Sequence, residues 1–324
     1  MKPRLRFAHL PTPIEAMPRL SAALGGPQLW VKRDDQTGLA LGGNKTRKLE
    51  YLLASAQAEG AATLISAGAV QSNHCRQTVA AAAKFGFDCI LVLFGDPPDI
   101  PDGNHLLHRL LGAEIVFTER EVVQEKLDEV FSQAQSAGRK PYLIPYGGSN
   151  PTGAMGYVNA MLELAEQELC PDWIVFPSSS GGTQAGMLVG AKLSGFTGKI
   201  LGISVDEPAA MLKPRVAELA TATAAHVGEN WQYKAEEVLV NDDYIGEGYA
   251  VMGEPEIEAI QLFAQQEALL VDPVYTGRAA AGMIDLIRKG FFKKDETVLF
   301  WHTGGSPALF AEKYQGRLLH QHSQ

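Results

Sequence analysis

The stretch WIVFPSSSGGTQAGMLVGAKLSG (173–195) decides the fold. Trp173 to Phe176 form a continuous apolar run, the pattern of a strand buried on both faces. Small polar residues follow: Ser178, Ser179, Ser180, Gly181, Gly182 and Thr183. A helical pattern comes next. Strand, polar loop and helix make up the unit of a parallel sheet covered by helices, and the unit recurs. Further candidate strands are ATLISAG (62–68), DCILVLFG (88–95), AEIVF (113–117), PYLIPYGG (141–148), KILGISV (199–205), ALLVDPV (268–274) and ETVLFWHTGG (296–305). Helical segments such as CRQTVAAAAKFG (75–86) lie between most of them. The expectation is an α/β fold with mostly parallel sheets. FGDPPDIPDGNH (94–105) reads as a surface loop. The pattern is weakest over 206–245.

The 324 residues suggest about two domains. The chain is 46% hydrophobic and 20% charged, ordinary for a protein with a large core. A net charge of −9 argues against a nucleic-acid protein. No apolar run reaches the ~18 residues of a membrane span. The opening MKPRLRFAHLPTPIEAM has no continuous apolar core, so a signal peptide is not expected and the cytoplasm is the default. Cys75, Cys89 and Cys170 are far apart and lack metal-ligand spacing, so no metal is expected. Cys89 and Cys170 read as small buried thiols.

Ligands of α/β sheets sit at the carboxyl ends of strands. Here those ends read SAGAVQSNH, YGGSNPTG, PSSSGGTQAG, DPVYTG and HTGGSP. Five ends rich in glycine and hydroxyls imply one polar pocket. In the 178–183 loop, glycines admit close backbone approach and a helix N-terminus offers free N–H groups. That combination makes a phosphate cup, or else a plain strand–helix turn. It is neither a Walker A loop nor a G-x-G-x-x-G fingerprint.

A second stretch, LGGNKTRKLE (41–50), sets Lys45, Arg47 and Lys48 within four residues. Asn44 reads as an N-cap, placing Lys45 at a helix start. The positive end of the helix dipole, burial and neighbouring cations all disfavour an ammonium there. A neutral lysine is a nucleophile for a carbonyl. Lys48, three residues on, shares its face. The competing reading is a solvated basic helix start. A reactive lysine with a phosphate cup points to pyridoxal 5'-phosphate.

KRDDQTGLALGGNKTRKLEYL, GAVQSNHCRQTVAAAAKFG, GGSNPTGAMGYV, SSGGTQAGM, DPVYTG and HTGGSPALF closely resemble the D-cysteine desulfhydrase and aminocyclopropane-carboxylate (ACC) deaminase family. This family lies within the tryptophan-synthase-β, or type II, class of pyridoxal-phosphate enzymes. HLPTPIEAM…GGPQLWVKRDD is also similar to L-cysteate sulfo-lyase. The matches run in order from about residue 7 to 311. The resemblance implies that Lys45 is the Schiff-base lysine, Lys48 a phosphate contact and 179–183 the phosphate cup. It implies that Asn73 bonds the cofactor's phenolic oxygen and that Ser72 lies near the substrate carboxylate and the lysine. Tyr249 and Tyr275 match active-site tyrosines, and His74 matches a substrate-side position. It further implies a large domain of 1–51 plus 161–324, a small one of 52–160, the cofactor in the cleft between them, and a homodimer.

Two positions depart from the ACC deaminase pattern, and a third sides with the desulfhydrases. Thr276 and Thr303 stand where that branch has glutamate and leucine, and His74 where it has glutamine. A carboxylate beside the pyridine nitrogen would hold a proton there; a threonine hydroxyl holds it less firmly. Thr303 is the candidate contact. The pattern suits α,β-elimination of a good leaving group better than ring opening. The expected reaction turns D-cysteine into pyruvate, ammonia and hydrogen sulfide; the alternatives are L-cysteate sulfo-lyase and, further off, ACC deaminase. A dinucleotide-dependent oxidoreductase lacks its fingerprint; a non-catalytic cofactor-binding protein is the alternative of a different class, against which intact Lys45, Ser72 and Tyr275 weigh. His105, His108, His226 and the tail HQHSQ read as surface or structural, Asp34 and Asp35 as partners of nearby cations, and Phe300 and Trp301 as strand core.

Overall fold

The computed structural model describes residues 3–319; the HQHSQ tail (320–324) lies outside them. Ten strands form two sheets among these residues: β1 (Ile14–Ala16), β2 (Gln28–Lys32), β3 (Thr63–Ala69), β4 (Asp88–Phe94), β5 (Glu114–Thr118), β6 (Pro141–Leu143), β7 (Trp173–Ser178), β8 (Lys199–Ser204), β9 (Leu239–Asn241) and β10 (Thr297–Trp301). One sheet has the order β1-β2-β10-β7-β8-β9, the other β5-β4-β3-β6. Every pairing is parallel except β1 with β2. The fold is the expected α/β architecture. The buried runs of β3, β4, β7 and β10 are apolar on both faces because helices cover both. The boundary expected at residue 160 falls inside one continuous helix, Pro151–Ala165.

ALLVDPV (268–274) is not a strand. Both edges of β10 are already taken, by β2 and β7. Leu269, Val271 and Val274 are buried without a sheet slot, and the segment ends in a turn into the helix Thr276–Arg288. Of PYLIPYGG only Pro141–Leu143 is strand. The weakly patterned 206–245 stretch holds a helix, Ala209–Val227, and the short β9. Cys75 and Cys89 are buried, but Cys170 is exposed. His105 and His108 are buried rather than at the surface.

Glycines set the helix layer that carries the site. Helix Pro151–Ala165 presses against helix Asn44–Ala58 on one side and helix Gly182–Ser194 on the other. A Cβ at Gly156 would lie 2.5 Å from the carbonyl carbon and oxygen of Arg47, and one at Gly186 would lie 2.3 Å from Ala154 O. Gly156→Ala is therefore expected to force the helices apart, at about 1–3 kcal/mol. A thermal-shift assay checks this; an unchanged melting temperature would contradict the packing.

Candidate active site

The segment before Lys45 is bent into place. Ala40, Leu41, Gly42 and Gly43 all have positive φ, at 42°, 70°, 67° and 125°. At Gly42 a Cβ would fall 1.8 Å from Asp35 O, so only glycine fits. Gly43, not Asn44, is the N-cap. Asn44 is the first helical residue because its amide donates to Thr303 O (3.0 Å) and its Nδ2 to Thr183 Oγ1 (3.3 Å). Lys45 follows, half-buried in the cavity wall.

Charge on this helix is split by face. Residues two apart do not face each other. Arg47 points away from the cavity: Nη2 and Nε bond both oxygens of Asp34 at 2.8 and 2.9 Å, and Nη1 and Nη2 bond both oxygens of Glu163 at 2.9 Å. Lys32 Nζ reaches Glu163 Oε1 at 2.6 Å and Tyr157 OH donates to Asp34 Oδ2 at 2.6 Å. Burial works against these ions, but Arg47 holds Asp34 and Glu163 below the usual carboxylate range, and they hold Arg47 above its own. Asp35 pairs with Arg33 at 2.8 Å, as expected. Lys48 is buried, with Nζ 3.1 Å from Gly147 O and 3.4 Å from Ser149 Oγ. It braces the 146–149 turn from behind and is not among the lining residues of the cavity. The solvated basic helix start is thereby excluded.

The cup forms where β7 ends. Gly181 takes φ +86° and caps the helix Gly182–Ser194. The first-turn N–H groups of a helix have no partner inside it. The 146–149 turn closes the cup: Ser149 Oγ accepts from Gly182 N (3.2 Å) and pairs with Ser180 Oγ (2.8 Å). A Cβ at Gly147 would lie 2.4 Å from Ser180 Oγ, and one at Gly182 2.5 Å from Ser149 Oγ. Ser179 turns its hydroxyl outward to Asp206 Oδ2 (2.9 Å), leaving the loop its backbone. Thr183 lines the cavity.

Ser72 caps the helix Asn73–Phe85, its Oγ accepting from Cys75 N at 3.1 Å. His108 Nε2–H donates to Ser72 O (3.2 Å), so this histidine has a structural bond. Asn73 and His74 line the cavity. His74 Nε2 bonds Ser66 Oγ at 2.9 Å; burial, then the nearby Lys45 and Lys48, keep the ring neutral. Opposite, Tyr275 OH meets Tyr249 OH at 2.7 Å. Burial lifts both phenols well above their usual range, so they stay protonated. Tyr275 faces the inner cavity, whereas Tyr249 faces an outer cleft of ≈ 1040 Å³.

The two threonines separate. Thr303 lines the cavity. Thr276 does not; it is buried, with its amide (2.6 Å) and hydroxyl (2.7 Å) both bonded to Asp272 Oδ1. Asp272 also accepts from Val274 N and Tyr275 N at 3.0 Å, which fixes the tyrosine's backbone. Sequence reasoning missed Asp272 and the cavity-lining Tyr146, though both sit in quoted motifs, DPVYTG and PYGG. It also missed Asn104, whose partners lie about 30 residues away.

These donors fit pyridoxal phosphate. The cup offers amides and hydroxyls in a space that a Cβ would fill. Desolvation lowers the Lys45 ammonium to about 8, so about a tenth of the amine is neutral at pH 7, far more than for an ordinary lysine. Recombination of the apoprotein with added cofactor is expected to speed up roughly tenfold per pH unit up to about pH 8 and then level off, because the neutral amine fraction rises that way. Stopped-flow absorbance measures it; a rate flat from about pH 6 to about pH 8 would contradict the shift.

The pyridoxal-phosphate dependent enzyme family matches residues 5–304. A D-cysteine desulfhydrase of Klebsiella pneumoniae is 44% identical over 320 residues, covering 95% of this chain and 96% of that protein. A solved ACC deaminase homologue superposes with a TM-score of 0.90 at 37% identity, covering 98% of this chain and 96% of that one. An L-serine ammonia-lyase from Rhizomucor miehei shares the fold, with a TM-score of 0.69 at 17% identity over 97% of this chain and 100% of that one. The chain belongs to the pyridoxal-phosphate dependent enzymes, where it is a lyase related to the D-cysteine desulfhydrase and ACC deaminase group.

Proposed function

We propose that the chain catalyses α,β-elimination on a small β-substituted amino acid, with D-cysteine as the substrate. One observation carries this choice over ring opening: no Asp or Glu is among the described residues lining the cavity. We assign the pyridine nitrogen to Thr303, which lines the cavity, rather than to Thr276, whose amide and hydroxyl are committed to Asp272. The 44% identity to a D-cysteine desulfhydrase supports the same substrate.

Bound pyridoxal phosphate supplies the sink for the electron pair left at Cα. The chain's groups do the rest. The cup and Thr183 hold phosphate, with Lys48 bracing the loop. Ser72, at a helix N-terminus, donates to the substrate carboxylate. The neutral amine of Lys45 takes the Cα proton. Tyr275 gives its proton toward the departing sulfur, with Tyr249 holding the phenol in line. Loss of hydrosulfide leaves an enamine, and hydrolysis of its imine tautomer yields pyruvate and ammonia.

The test gives the loaded enzyme β-chloro-D-alanine and ACC in parallel and measures the keto acids. Pyruvate from the first, with at most a trace of 2-oxobutyrate from the second, is expected. 2-Oxobutyrate as the faster product would overturn the reading.

A further inference from the structure

Arg47, Arg76 and Arg278 are the arginines enclosed almost completely by protein. Two of them have carboxylates: Arg47 has Asp34 and Glu163, and Arg278 Nε meets Glu256 Oε1 at 2.7 Å. Arg76 makes no ion pair among the described residues. Its acceptors are neutral: Gly42 O at 2.6 Å, Asn73 Oδ1 at 3.0 Å and Asn104 Oδ1 at 2.8 Å. Its Nε has no partner. Burial lowers the guanidinium to about 10, which leaves it charged at neutral pH. A buried cation without an ion-pair partner is costly to maintain, so its position needs a reason.

The reason lies one bond away. Asn73 lines the cavity beside Lys45. Its Oδ1 accepts from both Arg76 Nη1 and Asn104 Nδ2 (2.9 Å). With the oxygen so occupied, the amide orientation is set and Nδ2, which makes no bond within the described residues, is left for the cavity. Asn104 is itself fixed: its amide donates to Gln71 Oε1 (2.8 Å) and its Nδ2 also to Gln71 O (3.0 Å). Arg76 Nη2 and Gln77 Nε2 both bond Gly42 O, so the same cluster holds the turn that presents Lys45. Among the titratable groups around the cluster, the Asp272 carboxylate opposes the charge, but from a distance and without an ion pair. His74 and His108 are held neutral by burial, and the Asp272 carboxylate is engaged by the amides of residues 274–276.

We propose that Arg76, with Asn104, is a positioning residue for the bound cofactor: it turns the Nδ2–H of Asn73 toward the phenolic oxygen, and its charge favours the ionised form of that oxygen. An opposite charge within about 4–6 Å lowers an acid's pKa by about 1–3 units, and Arg76 stands one side chain, that of Asn73, behind the position assigned to that oxygen. The inference rests on the assignment of Asn73 to the phenolic oxygen.

The test is a pH titration of the bound cofactor's visible absorption in cofactor-loaded protein, with apoprotein as the blank. Arg76→Met should raise the midpoint by about one unit or more, a roughly tenfold weaker ionisation. Arg76→Lys should restore most of the shift by keeping the charge. Asn104→Asp supplies a second route should Arg76→Met fail to fold, because the new carboxylate pairs with Arg76 and removes a donor from Asn73; it should shift the midpoint the same way. Asn73→Ala separates the two layers of the argument. If it moves the midpoint while Arg76→Met and Asn104→Asp do not, the proposal is wrong and the Asn73 assignment stands. If Asn73→Ala leaves the midpoint in place, the assignment fails and the proposal with it.

Discussion

Lys45→Ala is expected to cut turnover at least about 1000-fold and to leave a protein that loses its visible absorption on gel filtration. Removing a positioned general base costs about 10²–10⁴ in rate, and here the same amine also anchors the cofactor. Lys45 is the one lysine among the described residues lining the cavity. Lys48 shares its face but sits behind the cup, with Nζ engaged by Gly147 O and Ser149 Oγ. Burial, and then the neighbouring Lys45, lower Lys48 as well, but its side chain is absent from the cavity lining. Steady-state pyruvate release and an absorption spectrum of the desalted protein are the measurements. A variant that kept even a tenth of its turnover would remove Lys45 from the chemistry.

Arg47→Met is expected to destabilise the fold by about 3–5 kcal/mol, the cost of breaking a buried ion network by removing one partner. The side chain is the hub: it neutralises Asp34, which is buried, and Glu163 together with Lys32. Methionine fills the space but leaves Asp34 with only the hydroxyls of Thr12 (3.0 Å) and Tyr157 (2.6 Å) as its remaining side-chain donors. Because Asp34 O also accepts from Gly43 N at 2.9 Å, loosening this corner shifts the turn that carries Lys45. Urea denaturation followed by far-UV circular dichroism measures the loss. A midpoint unchanged from the parent would mean that the network contributes little.

These two residues show how far the sequence alone reaches. LGGNKTRKLE displays three cations, but the division of labour among them comes from the 3.6-residue helical repeat, which sets Arg47 against Lys45 and Lys48. The strands β3, β4, β7, β8 and β10 were legible because each is an apolar run closed by glycine or hydroxyl residues. ALLVDPV shows the same run without being a strand, because a local pattern does not reveal that both edges of β10 are filled. β1 and β9 span three residues each, too few for an alternation to register. The cup, Lys45, Ser72, Asn73 and Tyr275 lie at loop motifs, and the fold brings them to one cavity. Tyr249 was legible by resemblance, and its place is set by a hydroxyl contact 26 residues along the chain. Arg76 bonds Asn73 three residues back on its own helix, but the cluster that gives this contact its meaning is completed by Asn104 and Gly42, 28 and 34 residues from Arg76.

The central claim is elimination from D-cysteine, and simultaneous assay of sulfide and pyruvate tests it most directly. Purified, cofactor-loaded enzyme given D-cysteine should release the two in equal amounts, with L-cysteine and L-cysteate far slower. Sulfite and pyruvate from L-cysteate, with D-cysteine left intact, would contradict the account.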